Sequence, residues 1–171
     1  MSPAVKSILC CVAMGPNSEQ VMLRALLEAS AHDAGIHILH IIPAYDAAMA
    51  TPIVSFMGEE KFRQLVEEHK VEATEAIRKE IEALKNRILT EHLEGSTDRI
   101  MDIHVFEGDP ELEILHMADK LGVDMIVMGT HSKGLTHYTF MGSVAGKVLK
   151  RGRVPMLLVP PKTAEPDSIR K

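Results

Sequence analysis

Short apolar runs alternate with longer amphipathic stretches along the whole chain. Residues 5–13 (VKSILCCVA) are mostly apolar on consecutive positions and stop at the turn signal MGPNS, the mark of a strand buried on both faces. Residues 36–43 (IHILHIIP), 99–109 (RIMDIHVFEGD), 123–129 (VDMIVMG) and 154–161 (VPMLLVPP) predict four more strands. The last is halted by paired prolines, which cannot donate to a ladder. Between the strands the period changes. Val21, Leu23, Ala25, Leu26, Leu27 and Ala29 fall on one broad helical face, which Asn17 or Ser18 can cap and Gly35 can end. Residues 58–89 predict a long helix laced with Glu-to-Lys and Glu-to-Arg pairs, its charges forming a solvated face. Residues 109–122 carry both start and stop signals: Asp109 as cap, Pro110 at the first helical position, Glu111 in the first turn, Gly122 at the close. A short helix is expected from Ser143 to about Arg151. Residues 44–58 (AYDAAMATPIVSFMG) have no clean period and predict a loop over one end of the sheet.

Strands that alternate with helices predict a parallel sheet covered on both faces, because each parallel neighbour needs a crossover and the crossovers supply the cover. A chain of 171 residues can bury a sizeable core as one domain. That domain is expected over residues 1–161, with residues 162–171 (KTAEPDSIRK) as a polar, disordered tail.

Composition narrows the function. With 46% hydrophobic and 25% charged residues the chain has the make-up of a soluble globular protein. A formal charge of −5, 4% aromatics and no Trp argue against a nucleic-acid surface. The 11 methionines read as flexible core filler. Cys10 and Cys11 are adjacent on a strand and so point to opposite faces, which suits two free thiols in a reducing compartment. No apolar run reaches the length of a secretion signal's core or of a membrane span, so a cytoplasmic location is expected.

Ligands of open parallel sheets collect beyond the carboxyl ends of the strands, where strand order reverses. If the first and fourth strands were neighbours, the loops AMGPNS and GTHSKG would flank that point. Gly142 and Ser143 open the next helix. The first N–H groups of a helix lack intrahelical partners and carry about half a positive charge between them. A phosphate there would accept those groups and the Ser143 hydroxyl, with Gly142 leaving room for its approach. The same two residues would also serve as a plain hinge and N-cap. His131 would add charge near a phosphate when protonated, and Lys133 would approach it as a point charge. Among the nine histidines, His37 and His40 straddle one strand, and no pair at helical spacing has a carboxylate partner such as zinc hydrolases use. Ser143 with His137 lacks an orienting acid and a strained nucleophile turn, so no catalytic residue and no metal are expected.

The stretch VDMIVMGTHSKGLTHYTFMGSVAGKVLKRGRVPMLLVP, with the first strand and GDPELEIL, resembles the universal stress protein family over residues 6–160. The resemblance implies an α/β fold: a doubly wound, Rossmann-like, five-stranded parallel sheet of order 3-2-1-4-5 with helices on both faces. It also implies homodimers joined antiparallel through the last strand, Val154 to Val159, whose apolar edge would invite aggregation if uncovered. Nucleotide-binding members carry Gly, two residues, Gly, nine residues, Gly and then Ser or Thr. Here the pattern reads Gly129, Ser132, Gly142, Ser143, with the spacing intact and one glycine substituted. Carried over, Met128, Gly129 and Ser132 would line the ribose and phosphates of ATP or AMP. Gly142, Ser143 and Val144 would hold the phosphates. The backbone of Ile41 would receive the adenine edge. Cys11, Val12 and Ala13 match the end of the family's first strand, where an acidic residue reads base or ribose; Ala13 stands in its place.

Losing a bond to a carboxylate costs roughly 1.5–3 kcal/mol, and a non-glycine residue forced to positive φ at 132 roughly 1–2 kcal/mol. A micromolar site would thereby weaken by about two to three and a half orders of magnitude, toward millimolar. The expected function is a nucleotide-responsive regulator with a weakened site. The alternative is an interaction protein acting on an unknown protein partner through its dimer surface and the loop from Ala44 to Met57. An adenylating enzyme is disfavoured, since AMGPNS offers a single glycine for a pyrophosphate loop.

Overall fold

A computed structural model describes residues 4–44, 47–93, 99–130 and 141–161. Five parallel strands, β1 (Ser7–Cys11), β2 (Gly35–Pro43), β3 (Ile100–Gly108), β4 (Met125–Gly129) and β5 (Met156–Val159), form one sheet in the order β3-β2-β1-β4-β5. The helices are α1 (Ser18–His32), α2 (Ala47–Met57), α3 (Glu59–His92), α4 (Pro110–Leu121) and α5 (Ser143–Arg151). The expected doubly wound order is therefore the observed one, and β1 and β4 are neighbours. Asp124 reinforces that pairing, its carboxylate accepting the N–H groups of Lys6 at 2.8 Å and Ser7 at 3.0 Å.

Consecutive strand residues feed opposite layers, as the period of two requires. Ile8 and Cys10 of β1 pack with Ile36, Ile38, Ile103 and Val105 under α1 and α3. Leu9 and Cys11 pack with Leu39, Ile41, Ile126 and Met128 under α4 and α5. Each fully buried aliphatic side chain contributes roughly 1.5–3 kcal/mol, so both layers are needed for a stable sheet.

The structure corrects several expectations. The stretch expected as a loop contains α2, whose alanines and methionines favour helix even though Pro52 forfeits one ladder bond. Helix α1 ends at Asp33, which takes the left-handed conformation at φ 55°, so Gly35 is free to begin β2. Neither Asn17 nor Ser18 caps α1 with its side chain. Asn17 instead donates from Nδ2 to the carbonyl of Val159 at 3.1 Å, and Ser18 Oγ accepts the N–H of Gly15 at 2.8 Å. Both side chains serve the turn after β1 and its tie to β5. The polar tail and the loop positions His131, Ser132 and Lys133 lie outside the described residues.

Candidate functional site

Because β1 and β4 are adjacent while their crossovers leave in opposite directions, a crevice opens above their carboxyl ends. It is a cavity of about 320 Å³, lined by the turn after β1, the end of β2, the start of α4, the end of β4 and the first turn of α5. Cys11, Val12, Ala13, Ile41, Met128, Gly129, Gly142, Ser143 and Val144 all line it. Residues scattered over more than 130 sequence positions are thus brought together by the strand order. Sequence reasoning missed several other lining groups, among them Ser18, His40 and Ile114. The signal for His40 was its place beside Ile41 at the end of a buried strand.

The turn after β1 is strained. Met14 adopts φ 51°, a conformation that L side chains rarely take and that costs on the order of 1 kcal/mol. The opposite wall is the start of α5. Gly142 has φ −54° and ψ 148° and offers no side-chain cap. Its own N–H donates to the Thr130 carbonyl at 2.7 Å. With the Gly142 amide engaged in that bond, the donors left at this helix start are the amides that follow it. Among the described residues, the amides of Ser143, Val144 and Ala145 have no hydrogen-bond acceptor. These three donors and the positive end of the helix dipole define an anion-seeking corner.

Helix α5 is held in place by Glu111 in the first turn of α4. Arg151 Nη1 lies 2.6 Å and Lys147 Nζ 3.3 Å from its carboxylate oxygens. Hydrogen bonding by Arg151 holds the Glu111 carboxyl below its ordinary value.

The cleft floor contains a thiol that is chemically quiet. Burial pushes Cys10 up to about 12 and Cys11 well above the usual thiol range. Both are free and buried, so native-state labelling by thiol reagents is expected only after unfolding. His37 and His40, three residues apart on β2, face opposite layers. His37 stacks on His104 with ring centroids 5.6 Å apart, and burial, then the His104 charge, lower its pKa. Among the described residues no group of three or more His, Cys, Asp or Glu is arranged to hold a metal ion. No helix among them is long and apolar enough to cross a membrane.

The sequence profile of the Universal stress protein family matches residues 4–160. The chain belongs to the universal stress protein family. Its curated relatives include universal stress protein MJ0531 of Methanocaldococcus jannaschii, 28% identical over 84% of this chain and 85% of the relative. Universal stress protein MJ0577 of the same organism is 30% identical over 74% of this chain and 77% of the relative. Among solved structures, universal stress protein UspA from Lactobacillus plantarum superposes with a TM-score of 0.65 at 17% identity, covering 92% of this chain and 99% of its own. A universal stress protein in complex with cAMP superposes at 0.56 with 19% identity, covering 94% of this chain and all of that one. These two structures share the universal stress protein fold with the chain.

Proposed function

We propose that this universal stress protein is a nucleotide-responsive regulator that binds ATP or AMP weakly, with the phosphates at the start of α5 and the base toward β2. The observation that carries the reading is the group of three acceptor-free amides of Ser143, Val144 and Ala145 at the wall of the cavity. A family member crystallised with cAMP supports it by showing that a relative accepts an adenine nucleotide. His131, Ser132 and Lys133 complete the phosphate side in this reading, and Ala13 leaves the base side short of one acceptor. The role is one of binding, with no catalytic residue and no protein-bound metal. The protein acts in the cytoplasm as a homodimer through Val154 to Val159; the half-buried apolar side chains of Met156, Leu157 and Leu158 on the edge strand β5 support that assembly. Calorimetric titration of the full chain with ATP and AMP is expected to give dissociation constants between about 0.1 and several millimolar. Absence of heat at millimolar nucleotide overturns the reading.

A second reading is favoured by one observation. Helix α2 exposes Phe56 at 91% and Ile53 at 44%, an apolar surface suited to a protein partner. In that case the cleft has lost its ligand, and neither nucleotide shifts the melting temperature.

A further inference from the structure

We propose that His40 sets the base selectivity of the cleft: its imidazole Nε2 accepts a hydrogen bond from an exocyclic amino group, so a 6-amino purine is preferred over its 6-oxo counterpart. The proposal rests on the nucleotide reading above and names a residue on which base recognition turns.

His40 is 8% exposed, sits beside Ile41 at the end of β2 and lines the cavity. Its Nδ1 lies 2.8 Å from the carbonyl oxygen of Val12. A carbonyl oxygen can only accept, so Nδ1 carries the hydrogen, and Nε2 of the neutral ring is left as a bare acceptor. Among the described residues Nε2 has no hydrogen-bond partner. In this proposal the ring turns Nε2 toward the cavity that the residue lines.

The placement has a chemical consequence. Val12 precedes Ala13 and both line the same cavity as His40, so the imidazole is anchored on the cavity wall just past the end of β1. Ala13 brings no side-chain acceptor to this wall, and His40 presents one from β2. An amino group brought to this corner satisfies Nε2. A ring carbonyl in the same place sets acceptor against acceptor and leaves both unpaired in a site shielded from water. One such mismatch is worth roughly tenfold or more in affinity.

The test is calorimetry of the full chain with AMP and with IMP, on wild type and on His40→Asn. The asparagine amide can keep the donation to Val12 but has no acceptor at the Nε2 position. Wild type is expected to favour AMP by about tenfold or more, and His40→Asn to bring the two nucleotides within about twofold of each other. An equal affinity in wild type, or an undiminished preference in His40→Asn, overturns the role of His40 while the nucleotide reading stands. Binding of neither nucleotide, with no thermal shift from pyrophosphate, overturns both together. Should the variant not fold, nitrogen-15-labelled histidine in wild type decides the matter. The Nε2 resonance of His40 is expected to move with AMP and to stay in place with IMP at matched occupancy; an unmoved resonance with AMP overturns the proposal.

Discussion

Two helices begin at the same end of the sheet, and their first turns are built in opposite ways. Helix α4 is closed by its own sequence: Asp109 accepts the N–H groups of Glu111 at 2.9 Å and Leu112 at 3.1 Å, and Pro110 has no N–H to satisfy. Helix α5 starts at Gly142, which brings no acceptor, and three amides are left facing the crevice. Pro110 and Ser143 both line the same cavity, so position at the sheet edge does not distinguish the two helices. The difference lies in who satisfies the amides. A carboxylate already at the start of α4 repels a second anion, whereas α5 gains stability when one arrives. A binding site can therefore be made by withholding a cap.

The comparison can be broken at several points, the largest effect coming from the support both helices share. Ile114 of α4 is 4% exposed in the layer that also holds Ala145 and Val148 of α5. Ile114→Ala is expected to lower unfolding free energy by about 2–5 kcal/mol, measured by chemical denaturation. A loss below about 1 kcal/mol would show that the layer is loosely packed. Next, Gly142→Asp gives α5 the cap that α4 has. The backbone at φ −54° accommodates any L residue, so the protein stays folded and gains a few tenths of a kcal/mol from the new cap. AMP affinity is expected to fall by roughly 10- to 100-fold, since the carboxylate occupies the amides and opposes the phosphate. Asp109→Ala is the reverse operation on α4. It should cost about 1 kcal/mol of stability and leave AMP affinity unchanged, which calorimetry on both variants checks.

The smallest effect concerns Glu111, which joins the two helices. Hydrogen bonding by Arg151 lowers its folded-state pKa below the ordinary 4.5. A lowered carboxylate contributes stability that is present above the ordinary range and is lost as pH falls through the folded-state value. Glu111→Gln should therefore be slightly less stable than wild type at neutral pH, with the difference vanishing in acid. Thermal melts across pH 3–7 follow this gap, and one that widens toward low pH contradicts the assignment.

The central strands were legible because burial on both faces leaves continuous apolar runs such as residues 123–129. Helix α4 was legible down to its caps, since Asp109, Pro110 and Gly122 each act through local backbone geometry, and Gly122 indeed adopts φ 60°. Helix α2 was not. Its eleven residues carry no charge, so they have no polar face to set a period, and Pro52 reads as a break. Asn17 looked like a cap and serves a long-range bond to β5 instead, a choice made by tertiary contact and invisible in the neighbouring sequence. The site was legible where it follows from strand ends and glycine spacing. His40 was hidden because its meaning depends on the Val12 carbonyl, 28 residues away in sequence.

Calorimetry comparing AMP with adenosine on the full chain tests most directly whether the open start of α5 draws the ligand's phosphate. The two ligands share base and ribose and differ only in the group meant for those amides. AMP is expected to bind at least about tenfold more tightly, the scale of charge-assisted bonds to backbone N–H groups. Equal affinities would contradict the account, because the ligand would then be held without the α5 amides.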